Sequence, residues 1–258
     1  MKLLHHKKGI ILGAANEKSI AWGIARAAHE QGAQLGFSYA GQTIEKRVRP
    51  LAESLNSTFL EPMDVTSEEQ IDAFFSRLGK HWGSLDFMVH SIAFAGKQAL
   101  QGRFLDTSRE DFLSALEVSC YSLTALARRA APLMTSGGSI LTLTYLGSVR
   151  AVPHYNIMGV AKAALESSVR YLAADLGPEG VRVNALSPGP IRTLSASGIS
   201  GFRRLLDAGP AAAPLRRNIT QEDVANSALY FLSDLSSGVT GEVHHVDAGF
   251  NITIGLEE

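Results

Sequence analysis

The sequence predicts an α/β fold in which seven parallel strands form one doubly wound sheet with helices on both faces. Two observations predict it. Short apolar and β-branched runs recur along the chain, and a longer amphipathic stretch follows most of them, which is the pattern of βαβ units. Because parallel crossovers are almost always right-handed, such units wind a sheet of Rossmann type, whose ligands bind at the carboxyl ends of the strands.

Each predicted strand is one of these runs. In chain order the strands are expected at GIILGAA (9–15), AQLGFSYA (33–40), TFLEPMDV (58–65), LDFMVHSIA (85–93), GSILTLTYL (138–146), VRVNALS (181–187) and EVHHVD (242–247). The chain of 258 residues is 45% hydrophobic and 19% charged, so it has enough apolar material to cover both faces of the sheet. We therefore expect residues 1–258 to form a single Rossmann-type domain.

Charge and cysteine content exclude several classes of protein. A formal net charge of -1 leaves no basic excess for nucleic acid. The only cysteine, Cys120, rules out an internal disulfide and is expected to be a packed thiol, which suits a reducing cytoplasm. The apolar run at the start is too short for a membrane span, and no metal site is expected.

One connection breaks the rhythm of strands and helices. Residues 191–214 follow the sixth strand and are crowded with glycine and proline, with room for only a short helical run. In a compact domain such a long connection is usually a lid or a binding loop. We expect it to bind the substrate.

The turn after the first strand is the first candidate phosphate site. Small residues run from Gly13 into a predicted helix that begins near Ser19 and Ile20. Such residues let backbone N–H groups approach a pyrophosphate, and the helix dipole favours it. The spacing is neither the usual dinucleotide fingerprint nor a P-loop, so an ordinary tight turn is the alternative.

Two further strands end on residues placed to meet a cofactor. Asp64 and Val65 end the third strand, where the carboxylate could accept a hydrogen bond from an adenine amino group or could cap the next helix. The fourth strand ends with His90, Ser91 and Ile92, where small side chains could admit a ribose.

The most informative residues are two tyrosines and a lysine. Tyr155 and Lys162 are seven residues apart, so on a helix they would lie on nearly one face, and Tyr145 ends the strand before them. Taken singly, each tyrosine is better explained by packing, and Lys162 by solvation, than by a functional role. Lys162, however, lies among glycine, valine and alanine, where a bare ammonium needs a ligand.

With these residues the sequence resembles the short-chain dehydrogenase/reductase superfamily, but with a departure. The superfamily pattern is Tyr-x-x-x-Lys with an upstream serine; if Lys162 takes the lysine role, Met158 stands in the tyrosine place and Tyr145 in the serine place. A site of this kind lacks the usual acid for carbonyl-to-alcohol interconversion.

The spacing Tyr145-x9-Tyr155-x6-Lys162 is instead similar to the divergent enoyl-acyl-carrier-protein reductases, and the similarity covers essentially the whole chain. Other matching blocks are Gly13-x5-Ser19-Ile20-Ala21-x-Gly23, His90-Ser91-Ile92, Tyr145-Leu146-Gly147, the run from Gly177 to Ala185, and Gly189-Pro190-Ile191-Arg192-Thr193-Leu194. The resemblance implies NADH-dependent reduction of a trans-2-enoyl thioester on acyl carrier protein, the last step of fatty acid elongation.

The resemblance also implies a role for each matching residue. Tyr145, Tyr155 and Lys162 would be catalytic. The cofactor would contact Gly13, Ser19, Ile20, Asp64, Val65, Ile92, Lys162, Ile191, Arg192, Thr193, Leu194 and Ser195, and the acyl thioester would contact Ala95, Tyr145, Tyr155, Met158 and Phe202.

The cofactor preference is expected to be NADH. Binding a 2'-phosphate normally needs an arginine or lysine at the end of the second strand, and Ala40 and Gly41 supply none. Lys46 and Arg47, a turn into the next helix, leave NADPH open.

The expected partners are an acidic carrier protein and further copies of the chain. Arg203 and Arg204 could attract the carrier, although adjacent arginines are usually a solvated face. A homotetramer is implied by the resemblance, with the apolar residues 121–134 as a packing face. Two other functions stay open: a short-chain reductase with a different conjugated or carbonyl substrate, and a non-catalytic dinucleotide sensor.

Overall fold

The computed structural model describes residues 2–193 and 202–253. In them one parallel sheet has the strand order β3-β2-β1-β4-β5-β6-β7. The strands are β1 (Lys8–Leu12), β2 (Gln34–Tyr39), β3 (Phe59–Pro62), β4 (Phe87–His90), β5 (Gly138–Leu143), β6 (Val181–Pro188) and β7 (Val243–Val246). The predicted α/β class with seven parallel strands is confirmed.

Helices cover both faces of the sheet. They are α1 (Ile20–Glu30), α2 (Gln42–Ser54), α3 (Glu68–Trp82), α4 (Arg109–Leu116), α5 (Ser122–Ala130), α6 (Ile157–Leu176), α7 (Phe202–Ala212) and α8 (Gln221–Leu232). A π turn at Glu117–Tyr121 joins α4 to α5. Alternate residues of β1 serve opposite cores, with Ile10 packing towards α3, α5 and α6 and Ile11 packing towards α1, α2 and α8.

Four of the predicted strands extend too far at their carboxyl ends. The runs 9–15, 58–65, 85–93 and 138–146 each continue three residues past the observed strand. These residues lie outside the paired strands, beyond their carboxyl ends. At β1 the cause is Gly13, whose φ of +90° turns the chain out of extended geometry.

Two other expectations are wrong in detail. The segment 191–214 contains α7, a helix of 11 residues rather than a short run. The stretch 121–134 is not a free packing face, because most of its apolar side chains lie in the core of the same chain: Leu123, Ala125, Leu126, Ala127, Ala130 and Met134. Amphipathic periodicity does not distinguish an internal partner from an external one.

The topology places the site. Successive strands run outwards from β1 to β3 on one side and from β4 to β7 on the other, so the order reverses between β1 and β4. Ligands of open α/β sheets bind at such a reversal, outside the carboxyl ends of the strands. Over residues 2–193 and 202–253, no helix is both long enough and apolar enough to cross a membrane.

Candidate active site

A cavity of about 570 Å³ opens at this reversal. Its walls come from the carboxyl ends of β1, β4, β5 and β6 and from the start of α6. The lining residues are Gly13, Ala15, Ser19, Ile20, Ser91, Ile92, Ala93, Phe94, Ala95, Lys97, Leu100, Leu143, Thr144, Tyr145, Tyr155, Met158, Lys162, Pro188, Gly189, Pro190, Ile191 and Thr193.

The turn after β1 is held close to the end of β4. A Cβ atom on Gly13 would lie 2.1 Å from the carbonyl oxygen of Ser91, so only glycine fits. The hydroxyl of Ser19 donates to the Asn16 carbonyl at 2.7 Å, and the Gln221 amide of α8 donates to the Ser19 carbonyl at 2.5 Å. Sequence reasoning missed Gln221, since it lies far along the chain.

The two tyrosines meet in the cavity. Tyr145 follows β5 in an extended conformation and Tyr155 precedes α6, and their rings pack edge to face with centroids 5.0 Å apart. Gly147 allows this, because a Cβ there would lie 2.4 Å from the Tyr155 ring. The spacing from Lys162 suggested that Tyr155 lies on the same helix, but it does not. Asn156, with a φ of +42°, separates Tyr155 from α6. Both side chains nevertheless face the same cavity.

Lys162 is a buried cation at the floor of the cavity. It is 5% exposed, and its Nζ donates to the Leu143 carbonyl at 2.7 Å. Burial lowers the pKa of the ammonium to about 8, against the opposing effects of Cys120 and Glu166. The bond to Leu143 uses one of three donors, so two are free for a ligand.

Both tyrosines are held in the neutral form. Burial raises the pKa of Tyr155, and Tyr145 and Glu166 raise it further. Burial also raises the pKa of Tyr145. Each phenol therefore keeps its proton at neutral pH and can donate a hydrogen bond.

His90 supports the cavity from beneath. Its Nδ1 lies 2.8 Å from the Thr142 hydroxyl and its Nε2 lies 2.9 Å from the Ser122 hydroxyl. The Ser122 hydroxyl donates to the Val118 carbonyl at 2.7 Å, so it accepts from Nε2–H and Nδ1 accepts from Thr142. Burial, and then the charge of Lys162, lower the pKa of His90 to about 3. The imidazole is therefore neutral.

The structure brings most of the predicted site residues together. Those lining the cavity are Gly13, Ser19, Ile20, Ile92, Ala95, Tyr145, Tyr155, Met158, Lys162, Ile191 and Thr193. Asp64, Val65 and Arg192 do not line it. Leu194 and Ser195 lie outside the described residues, and so does the side chain of Phe202.

The two residues predicted at the end of the third strand, Asp64 and Val65, make contacts outside the cavity. The Asp64 carboxylate accepts hydrogen bonds from both the N–H and the hydroxyl of Thr66, at 2.9 and 2.8 Å. Val65 packs in the core. Ser67, not Asp64, caps α3 by accepting from the Gln70 N–H. Asp64 is therefore not the N-cap of α3. Its carboxylate instead stabilises a turn just before that cap.

Sequence reasoning missed several cavity residues. Phe94, Lys97 and Leu100 follow β4 in an irregular segment whose path no periodicity reveals. Thr144 lines the cavity beside the predicted Tyr145, and Glu166, which does not line it, is buried one turn beyond Lys162. Over the described residues, no group of three or more His, Cys, Asp or Glu side chains could hold a metal ion.

The cavity fits a dinucleotide. Its volume lies in the range of small-ligand sites, about 300–1,000 Å³. A cradle free of side chains at Gly13 meets the N-terminus of α1, which suits a pyrophosphate. Lys162 has spare donors for ribose hydroxyls. Such a sheet, with a buried lysine and tyrosines at its reversal point, defines an oxidoreductase of the short-chain dehydrogenase/reductase superfamily.

Comparisons with known proteins give the particular family. The profile of the family described as enoyl-(acyl carrier protein) reductase matches residues 13–251. Enoyl-acyl-carrier-protein reductase (NADH) 1 of Rhizobium meliloti (strain 1021) is 56% identical over 255 residues, covering 99% of this chain and 93% of that protein. The chain therefore belongs to the enoyl-acyl-carrier-protein reductase family.

Solved structures agree with this assignment. The reductase of Anaplasma phagocytophilum, in complex with NAD, is 54% identical with a TM-score of 0.95, covering 99% of this chain and 97% of that one. The reductase of Bacillus cereus, with NADP+ and an indole naphthyridinone, is 52% identical with a TM-score of 0.97, covering 99% and 100%.

Proposed function

We propose that the protein uses NADH to reduce the carbon–carbon double bond of a trans-2-enoyl thioester carried on acyl carrier protein, the last step of a fatty acid elongation cycle. The observation that carries this is the convergence of Tyr145, Tyr155 and Lys162 on one cavity at the strand reversal. The names of the relatives support the same reaction.

Residues that line the cavity would hold the pyrophosphate, the ribose and the nicotinamide of the cofactor. Gly13, Ser19 and Ile20 would hold the pyrophosphate, Ile92 the adenosine side, and Lys162 the nicotinamide ribose. Ile191 and Thr193 would border the nicotinamide. Arg192, Leu194 and Ser195, from the same segment, would also contact the cofactor. Asp64 and Val65 at the adenine remain a prediction, supported by their place just after β3.

The chain's own residues would stabilise the charge that develops on the substrate. NADH supplies a hydride, which C3 of the enoyl thioester accepts. The electrons of the double bond then move towards the thioester oxygen, and a hydroxyl aimed at that oxygen stabilises the enolate. Tyr155 would donate there, since it lines the cavity and its raised pKa keeps it protonated. A proton added at C2 completes the saturation.

The remaining side chains would shape the acyl site. Tyr145 packs against Tyr155 and would orient its ring, while Ala95 and Met158 provide apolar lining and Phe202 would extend it. Lys162 would hold the ribose and keep the local field positive.

One assay tests the function. Crotonyl thioester with NADH should consume the reduced nicotinamide, and β-hydroxyacyl thioesters should not be oxidised. Lys162→Ala should raise the Kd for NADH, measured by fluorescence titration, because it deletes the ribose contact. Turnover of other carbonyl substrates alone would favour a different short-chain reductase, and NADH binding without any turnover would favour a sensor.

Organisation beyond the site is also proposed. We infer that the chain is one domain, that 191–214 is the substrate-binding segment, that the enzyme works in the cytoplasm, and that it forms a homotetramer. Exposed apolar side chains on α4 and α6, Leu113 and Tyr171, offer a packing face in place of 121–134. Light scattering should give four copies; a monomer at micromolar concentration would remove this part of the proposal.

A further inference from the structure

A buried carboxylate lies one helical turn beyond the catalytic lysine. Glu166 is four residues after Lys162 on α6 and is 8% exposed. Its Oε1 accepts a hydrogen bond from the Thr144 hydroxyl at 2.6 Å. A buried carboxylate is costly unless it is paired, so its presence beside the site needs a reason.

Two charged residues of α6, Lys162 and Glu166, hold consecutive residues at the end of β5. Lys162 donates to the Leu143 carbonyl, and Glu166 accepts from the hydroxyl of the next residue, Thr144. The N–H of Thr144 also donates to the Leu186 carbonyl of β6 at 2.7 Å. Tyr145 follows directly, so this double attachment fixes the backbone from which the tyrosine extends.

Glu166 also balances the charge of Lys162. The ionisable groups that act on the ammonium are Cys120 on the π turn and Glu166, and the ammonium in turn acts on His90 of β4, which is neutral. Against the effect of burial, Cys120 and then Glu166 raise the pKa of Lys162, so without Glu166 the ammonium would lose its proton at a lower pH.

We propose that Glu166 is a positioning residue for the reductase reaction, acting through Thr144, which it anchors next to Tyr145, and through Lys162, which lies one turn before it on α6. This rests on the proposed function, because it assumes that Lys162 holds the nicotinamide ribose. Glu166 itself does not line the cavity.

The test is the pH dependence of NADH binding in Glu166→Gln. Glutamine keeps an oxygen for the Thr144 hydroxyl but removes the charge. The Kd for NADH should stay close to wild type near pH 6, while binding should be lost at a lower pH than in the wild-type protein. At pH 8 the variant should therefore bind NADH more weakly than the wild-type protein does. Glu179→Gln, at an exposed position, removes the same charge and should leave the profile unchanged.

A second pair of variants tests the anchoring without changing Glu166. Thr144→Val removes the hydroxyl and should lower kcat, and Thr144→Ser restores a donor and should lie closer to wild type. This pair also keeps the proposal testable if Glu166→Gln does not fold. An unshifted pH profile in folded Glu166→Gln, or equal kcat in the two Thr144 variants, overturns the proposal. If Lys162→Ala still weakens NADH binding, the proposed function stands regardless.

Discussion

The rings of Tyr145 and Tyr155 pack edge to face, with their centroids 5.0 Å apart and their planes 68° apart. Such a contact is made by ring carbons and hydrogens and does not need either hydroxyl. Tyr155 is buried and Tyr145 is half-buried. Replacing either by phenylalanine therefore deletes one hydroxyl while the ring that positions its neighbour remains.

Tyr155→Phe should lower kcat for enoyl thioesters by about 10²- to 10⁴-fold, because a positioned acid contributes about that much. The Kd for NADH should stay nearly unchanged, since the hydroxyl acts on the substrate oxygen. Single-turnover hydride transfer and fluorescence titration measure the two quantities.

Tyr145→Phe is the matched comparison, because it removes the same atom from the neighbouring ring. Its effect on kcat should be smaller if Tyr145 only shapes the acyl site. Wild-type hydride transfer in Tyr155→Phe would show that another group stabilises the enolate.

The sheet could be predicted from sequence because each strand is a short apolar run with turn residues around it. A residue of the cavity could be predicted only where it follows a strand or belongs to the group Tyr145, Tyr155 and Lys162. Gln221 and Glu166 were not, because their roles come from long-range packing that brings α8 to the first turn and turns α6 towards β5. Tyr155 was placed on a helix because periodicity cannot reveal the left-handed Asn156.

Buried His90 should make the protein acid-sensitive. Its pKa is about 3 when folded and 6.5 when exposed, so between these values the unfolded chain binds a proton that the folded chain excludes. The stabilisation is complete above pH 6.5 and is lost as pH falls towards 3, at about 1.4 kcal/mol per pH unit.

His90→Gln should lessen the slope of unfolding free energy against pH in this window, measured by denaturant titration at several pH values. His245→Gln, at an exposed position, is the control and should keep the wild-type slope. Equal slopes in both variants would mean that the acid sensitivity has another source.

Gly13→Ala should damage both stability and cofactor binding. The new Cβ would lie 2.1 Å from the Ser91 carbonyl oxygen, so the turn after β1 must move away from β4. Gly83→Ala is the control, since its φ of +73° likewise disfavours a side chain but its Cβ meets nothing within 4 Å and it does not line the cavity. Gly13→Ala should show the lower Tm and the weaker NADH binding. Equal losses of Tm and of NADH binding in both variants would mean that backbone strain alone causes the effect.

Arg203 and Arg204 should favour the carrier-linked substrate. Both are exposed on α7, next to the proposed substrate segment, and the carrier protein is acidic. Reversing both charges to glutamate should lower kcat/KM for the carrier-linked thioester more than for the coenzyme A thioester, and added salt should reduce the difference.

The matched control is reversal of Arg26 and Arg109, which are exposed on α1 and α4 and change the net charge equally. Equal losses with both substrates would remove α7 as a docking surface.

The cofactor preference should follow from the charges around the end of β2. The Tyr39 side chain lies in the field of Glu45 and Glu61, which raise its pKa in addition to burial. The nearby cations are paired, since Arg49 contacts Glu45 and Arg77 contacts Glu61. A 2'-phosphate at the end of β2 would meet these carboxylates, while the guanidinium groups of Arg49 and Arg77 are already paired. NADH should therefore give the higher kcat/KM in the wild-type protein.

Ala40→Arg should shift this preference towards NADPH. Ala40 is exposed directly after β2, and an arginine there could form charge-assisted hydrogen bonds to a 2'-phosphate. Bonds of this kind are worth about 1.5–3 kcal/mol, so the ratio of kcat/KM for NADPH over NADH should rise about tenfold or more. Ala40→Gln, similar in length but neutral, should change the ratio less. Lys46 and Arg47 are exposed on α2 and are the alternative source of phosphate contacts. A wild-type preference for NADPH that disappears when both are changed to alanine would place the recognition on α2 and contradict the assignment to the end of β2.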